Sequence, residues 1–438
     1  MKNRKWLFGV GVVILVAVMG VGIGIGTANL GQAEGRPDRG LPILELNLNG
    51  VSIEEIGSGS KETKYAGNTV TLYNVGNNAS NGQSWTDVEI KGRGNATWLQ
   101  AKKPWQLKFD GRVDLLELGR NRKWVLLANY LDQAYVRSAA SMKVMQMLEM
   151  PFSPEGEFAE LYVDGEYYGL YFVTRKTEVG RGSVDLREPE GVLVELDNVY
   201  GKNEVFYTTQ AGNVMVLVDA VNETMEEQAM RGFLDDFNRL ELAVEAGDYA
   251  AFAEVADVRS FAEYFVLSEA VVNVDAYFTS EYFYKDGAED KIHAGPGWDF
   301  DMTFGNKNWA GGFSPTVDQE RREEILDWPR YNDATGEWEE WGQYGRIAKI
   351  FFQLMEMPEF QTEVKTVWQE KMAGRKAEFL LEVKKLVEAV RPAALADAEK
   401  WQREDFETGV QELIDWIQIR YDFMEEKYGA GVGSARVL

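Results

Sequence analysis

Ala159-Glu160-Leu161-Tyr162-Val163-Asp164-Gly165-Glu166-Tyr167-Tyr168-Gly169-Leu170-Tyr171-Phe172-Val173 is the stretch whose reading decides the fold. Two apolar-rich runs flank the pair Asp164-Gly165, a strong short-range hairpin signal. Working outward, Gly191 to Leu196 reads as a further strand. Upstream, the alternation in Ile43 to Leu48, Val70 to Tyr73 and Trp85 to Ile90 predicts strands. Gly/Asn/Ser clusters at 57–60, 76–82 and 92–96 punctuate them as turns. Trp124 to Ala128 reads as a short buried segment, and 133–149 as a helix. Beyond about residue 223 helices dominate, at 223–246, 258–273, 343–356, 359–390 and 405–428, interrupted by two short strands within 281–299. This is an α+β plan, with a β-rich part at about 41–218 and a helical part at about 219–430. No linker stands out inside 41–428, so 35–430 is expected to form one unit.

Composition narrows the chemistry. With 46 basic against 71 acidic residues, the formal charge is −25. Nucleic acid is not expected as a partner, because phosphate backbones need basic surface; a basic protein partner is compatible with this charge. There is no cysteine, so thiol nucleophiles and thiolate metal sites are excluded. The single histidine, His293, leaves carboxylates as the acid/base and metal groups, which suits Mg²⁺, Ca²⁺ or Mn²⁺.

Residues 1–34 carry an export pattern. Lys2, Arg4 and Lys5 precede an uncharged apolar run from Trp6 to about Ala28. The run is long enough to span a bilayer, with the body outside the cell. The alternative is a cleaved signal peptide, cut after Ala28 or Ala33. The body is therefore expected to be exported, either membrane-anchored or secreted.

Two runs could carry chemistry. The first is Lys91-Gly92-Arg93-Gly94-Asn95-Ala96-Thr97-Trp98, followed by Lys102 to Phe109. A glycine-rich turn lets backbone N–H groups approach a phosphate; the same pattern also describes an ordinary hairpin with a basic end. On the strand, Gln106 and Lys108 share one face, and Trp105, Leu107 and Phe109 the other. The second is Gly297-Trp298-Asp299-Phe300-Asp301, preceded by Asp275 and Glu281. If the segment is extended, Asp299 and Asp301 face the same way, and a cation would offset their repulsion. The alternative is a pair of turn-capping carboxylates between apolar anchors.

In order, these runs resemble the CotH family of spore coat proteins. The matching pieces are Arg93 to Trp98, Lys102 to Phe109, Trp124 to Asp132 with Arg137, the hairpin Glu160 to Tyr171, Leu193-Val194-Glu195-Leu196-Asp197, and Gly297 to Asp301. The resemblance implies an atypical kinase-like fold and an ATP- and Mg²⁺- (or Mn²⁺-) dependent transfer of phosphate to a protein hydroxyl. Asp275 would be the catalytic aspartate, and Asp299 the metal-holding one, with Asp301 a second metal contact. Arg93, Lys103 and Lys108 would neutralise phosphate charge. The pattern departs where an asparagine metal ligand is usual: Ser280 and Glu281 stand there, Glu281 being a possible ligand in its place. The partner implied is a protein substrate, or an envelope or spore-coat protein. Two other readings stay open: a surface binding protein that kept the fold and lost catalysis, and a calcium-stabilised structural module.

Overall fold

The computed structural model describes residues 35–74, 82–198, 204–306, 322–325, 329–332, 337–340, 346–403 and 406–429. Expectations for residues 1–34 lie outside these; among the described residues, no helix is long and apolar enough to cross a membrane.

Seven strands close into a barrel: β1 (Ile43–Asn47), β2 (Tyr65–Tyr73), β3 (Gln83–Gly92), β4 (Trp105–Asp114), β5 (Arg120–Leu127), β6 (Gly156–Val163) and β7 (Glu166–Arg175). Their order is β1-β2-β3-β4-β5-β7-β6. Neighbours are antiparallel except at the seam, where β6 pairs in parallel with β1, Ile43 opposite Glu160. Closure leaves no unpaired edge in this sheet. Period-two alternation sends Leu44, Leu46, Val70, Leu72, Val88, Ile90, Leu107 and Trp124 into one apolar cluster. The Asp164-Gly165 turn holds both residues at positive φ, +50° and +87°, as a hairpin turn with the right twist requires. The short helix α1 (Ile53–Ser58) rests on the barrel, started by a capping box between Ser52 and Glu55.

A second sheet joins the two parts of the chain. It contains β8 (Gly191–Leu196), β9 (Phe206–Thr208), β10 (Val214–Ala220), β11 (Glu281–Asp286) and β12 (His293–Ala294), in the order β12-β11-β8-β10-β9. β8 is almost wholly apolar and buried, as a central strand covered on both faces must be. A small hairpin, β13 (Pro329–Asn332) with β14 (Glu337–Glu340), stands apart from both sheets.

Helices α2 (Arg137–Leu148), α3 (Glu226–Glu245), α4 (Tyr249–Val255), α5 (Val258–Val271), α6 (Arg346–Met355), α7 (Pro358–Lys371), α8 (Lys376–Lys400) and α9 (Phe406–Met424) share a second, larger core with this sheet. One helix expected over 359–390 is two. The chain turns left-handed at Gly374 (φ +74°), ending α7 and starting α8. α8 then continues through Pro392, where a helix normally breaks. Burial of Val390, Ala393, Ala394 and Asp397 on one face outweighs the lost hydrogen bond. α2 begins later than periodicity suggests: both oxygens of Asp132 are bonded to the chain ahead of it, accepting from Ala134 N (2.9 Å) and Arg137 N (2.8 Å).

Candidate functional site

Three irregular segments converge between barrel and helices. The end of β3 supplies Arg93, Gly94 and Asn95; the loop after α5 supplies Asp275, Thr279 and Ser280; the stretch after β12 supplies Trp298 to Met302. They line a cavity of about 780 Å³ whose wall also includes Glu195 and Asp197 at the end of β8.

The polypeptide there is held in conformations that side chains with a Cβ avoid. Val272, Tyr277, Ser280, Asp299 and Phe304 all have φ between +49° and +69°. Each such residue costs on the order of 1–3 kcal/mol and persists only where its surroundings over-determine it. The restraints are visible. Phe304 N donates to Val271 O at 2.7 Å, which ties the second loop to the end of α5. Thr279 Oγ1 donates to Asp197 at 2.8 Å, and Ser280 Oγ to Asp299 Oδ2 at 3.2 Å. Tyr277 OH donates to Glu269 Oε1 (3.2 Å), whose other oxygen accepts from Arg420 of α9 (2.9 Å) and from Ile325 N (2.9 Å). Glu269 and Arg420 are fully buried, so the C-terminal helix braces the loop that carries Asp275.

Asp299 and Asp301 do not reach the cavity by strand alternation, as an extended segment would have it. Asp299 is left-handed and 301–305 is a turn, yet both side chains line the same wall. Burial pushes both carboxyls above the ordinary carboxylate range, Asp301 well above it. Asp299 and Asp275 add to the rise at Asp301, and Arg93 opposes it at both. Glu195 is pushed up to about 8 by burial and then by Asp197 and Asp299. A cation would relieve this crowding. Among the described residues no three acidic or imidazole groups form a ready-made metal cage. Two carboxylates and a hydroxyl fit Mg²⁺, which keeps waters and takes its other ligands from substrate phosphates.

Arg93 is the cation facing these groups. Its guanidinium lies 5.6 Å from the ring centre of Trp298. Among the described residues it makes no ion pair, and burial lowers its pKa against the pull of Asp299. Its charge faces Asp299 and Asp301 on the cavity wall.

Asp275, Arg93, Asp299 and Asp301 are thus brought together as the sequence predicts; three other candidates are not. Lys103 points away from the cavity, its ammonium donating to Trp98 O and lying 5.2 Å from that ring centre. Lys108 alternates outward from the barrel and is absent from the cavity wall, because Leu107 and Phe109 take the interior face of β4. Glu281 is fully buried in β11, with neither oxygen hydrogen-bonded, and does not line the cavity. β11 is covered on both sides, so the residue after Ser280 turns into the core.

Two lysines that the sequence does not single out line the cavity wall: Lys61, whose ammonium donates to Gly94 O at 2.9 Å, and Lys102. Lys102 is the buried one. It has no exposed surface and pairs with Asp397 of α8. Asp397 also accepts from Leu170 N (2.7 Å) and Tyr135 OH (3.0 Å). Burial lowers the lysine to about 8, with Asp397 opposing the fall. A close approach is built in: a Cβ on Gly169 would sit 2.5 Å from Asp397 Oδ1.

A family profile described as CotH kinase protein matches residues 88–424, most of the chain. The chain belongs to the CotH family. No curated protein matches it. The profile covers all three loop segments of the cavity and both partners of the Lys102–Asp397 pair, and leaves β1 and β2 of the barrel outside it.

Proposed function

We propose that this CotH-family protein is an atypical serine/threonine protein kinase that transfers the γ-phosphate of ATP to a protein hydroxyl. The observation that carries the reading is the convergence of Asp275, Asp299 and Asp301 opposite Arg93 in one cavity of about 780 Å³, ample for a nucleotide. Asp299 and Asp301 would hold the metal, and Arg93 draws the phosphates toward them. Bound Mg²⁺ would supply positive charge against the phosphates. Asp275 orients the acceptor hydroxyl and accepts its proton. The braced loop holds Asp275 at fixed distance from the metal side, which is where catalysis by positioning operates. The acceptor is a protein, an envelope or spore-coat component, reached by an exported body.

A second reading is favoured by one feature. Ser280 bonds to Asp299 where the family pattern places an asparagine ligand, and Glu281 is turned into the core. That fits a binding protein which kept the scaffold and lost transfer.

Melting with ATP and Mg²⁺ separates the two. Saturation at one hundred times the dissociation constant adds about 2.7 kcal/mol of stability. Asp299→Asn is expected to lose the metal-dependent shift, and Asp275→Ala to keep the shift while losing transfer of labelled phosphate to a serine-containing protein. No shift in the native chain at millimolar ATP would sink the kinase reading in favour of the second.

A further inference from the structure

At one end of the barrel, arginines gather without carboxylate partners. Arg112, Arg120, Arg122 and Arg181 are exposed and form no ion pair among the described residues. They are held by main-chain carbonyls instead. Arg112 Nη1 donates to Arg181 O (3.0 Å), Arg120 donates twice to Arg112 O (3.2 and 2.9 Å), and Arg122 Nε donates to Phe109 O (3.1 Å). The forks are oriented and their charge is left unneutralised, in a chain of net charge −25.

Beside them lies a cavity of about 210 Å³, lined by Arg175, Thr177, Ser183, Ser153 and Gly182. Backbone comes close to the guanidinium here: a Cβ on Gly119 would sit 2.9 Å from Arg175 Nη1, and one on Gly182 3.2 Å. Of the nearby carboxylates, Glu155 and Asp114 act on Arg175, and the others are engaged elsewhere. Glu178 pairs with Lys123 at 2.6 Å, Asp185 with Arg187 at 3.5 Å, and Asp114 accepts from Gly119 N at 3.0 Å. Glu155 reaches Arg175 at 3.4 Å and is mostly exposed.

We propose that this end of the barrel binds the phosphate group of a phosphoserine or phosphothreonine within a polypeptide. Arginine forks match phosphate oxygens two at a time, and the Thr177 hydroxyl stands on the same wall, while those of Ser153 and Ser183 donate to Met150 O and Lys176 O. The cavity takes one phosphate. Arg120 and Arg122, two apart on one face of β5, continue the site along the strand, where neighbouring residues of the bound peptide lie. A net charge of −25 repels an extended anionic surface, whereas one phosphate in the cavity responds mainly to the arginines within a Debye length. The origin of such a phosphate rests on the kinase reading; the binding itself does not.

The test is fluorescence anisotropy on the full chain with a labelled serine-rich peptide bearing one phosphoserine. Its unphosphorylated twin, inorganic phosphate and vesicles rich in phosphatidylglycerol serve as competitors. Expected is binding that requires the phosphoserine, is weakened about tenfold or more by Arg175→Ala, and is weakened likewise by Arg122→Ala, an exposed position that leaves the melting temperature unchanged. Equal binding of both peptides, indifference to both variants, or equal competition by free phosphate or vesicles would overturn it. ATP·Mg²⁺ binding, measured separately, tells failure of this site from failure of the kinase reading.

Discussion

Glu281 shows how one residue's environment changes what it can do. As a lone carboxylate after Ser280 it has the makings of a metal ligand. In the fold it sits in β11 with no exposed surface and no hydrogen-bond partner, and burial holds its carboxyl well above the ordinary range. It therefore keeps its proton to a higher pH than a free carboxylate does. The unfolded chain ionises the same group near pH 4. Between that pH and the folded value the native state binds the extra proton, so stability falls as pH rises. Each such unit costs about 1.4 kcal/mol. Glu281→Gln removes the titration and keeps the shape. Melting curves are expected to match the native chain at about pH 4 and to exceed it as pH rises from there. A variant that tracks the native chain across this range would show Glu281 ionised in the fold. Asp299 is legible from sequence as a candidate because it lies between aromatics beside a second aspartate. Lys102 is not, because nothing local separates it from Lys103; only the facing of α8 does.

At the scale of elements, the Lys102–Asp397 pair fastens the segment before β4 to a helix nearly three hundred residues on. Asp397 also receives Leu170 N from β7 and Tyr135 OH from the chain before α2. Four pieces of structure meet on one carboxylate. Removing one member of a buried pair leaves the other uncompensated, typically at about 3–5 kcal/mol, whereas replacing both with apolar groups is often neutral. Asp397→Ala should therefore lower stability by that order, and the double variant Lys102→Met/Asp397→Leu should recover only the part due to the unpaired lysine, since Leu170 N and Tyr135 OH still lack their acceptor. Urea denaturation of the two single variants and the double checks this. Additive losses would mean the two side chains do not act as a pair. The hairpin around Asp164-Gly165 was readable because its turn chemistry is local. The break between α7 and α8 was not, because a single glycine among helix formers gives a weak signal until the packing of both helices is known.

For the whole molecule, the barrel depends on residues outside the family match. β1 and β2 lie N-terminal to residue 88, yet β1 joins β2 to β6 and completes the closure. Leu44, Leu46, Val70 and Leu72 are at most 1% exposed. Each buried aliphatic contributes about 1.5–3 kcal/mol, and opening the seam would leave β3 and β6 as bare edges. A fragment of residues 88–424 is expected to aggregate or to melt without cooperativity, while residues 35–429 melt in a cooperative transition. Cooperative melting of the shorter fragment would show that the barrel does not need its first two strands. The two parts of the chain are also stitched together, since β11, from the helical part, pairs with β8, from the β-rich part.

The sequence by itself determined the mixed α+β plan, most strands and helices, and three aspartates and an arginine of the cavity. The elements rest on periodicity and turn chemistry, which act over a few residues; the three aspartates and the arginine rest on the ordered motifs that resemble the CotH family. Tertiary structure alone decided that the first sheet closes through a parallel β1–β6 seam, and that Lys102 rather than Lys103 or Lys108 faces the cavity. It also decided that Glu281 turns inward and that Arg420 braces the loop of Asp275. Each of these depends on which faces of distant elements are covered, and burial of that kind is set by the packing of the whole chain rather than by any neighbouring residue.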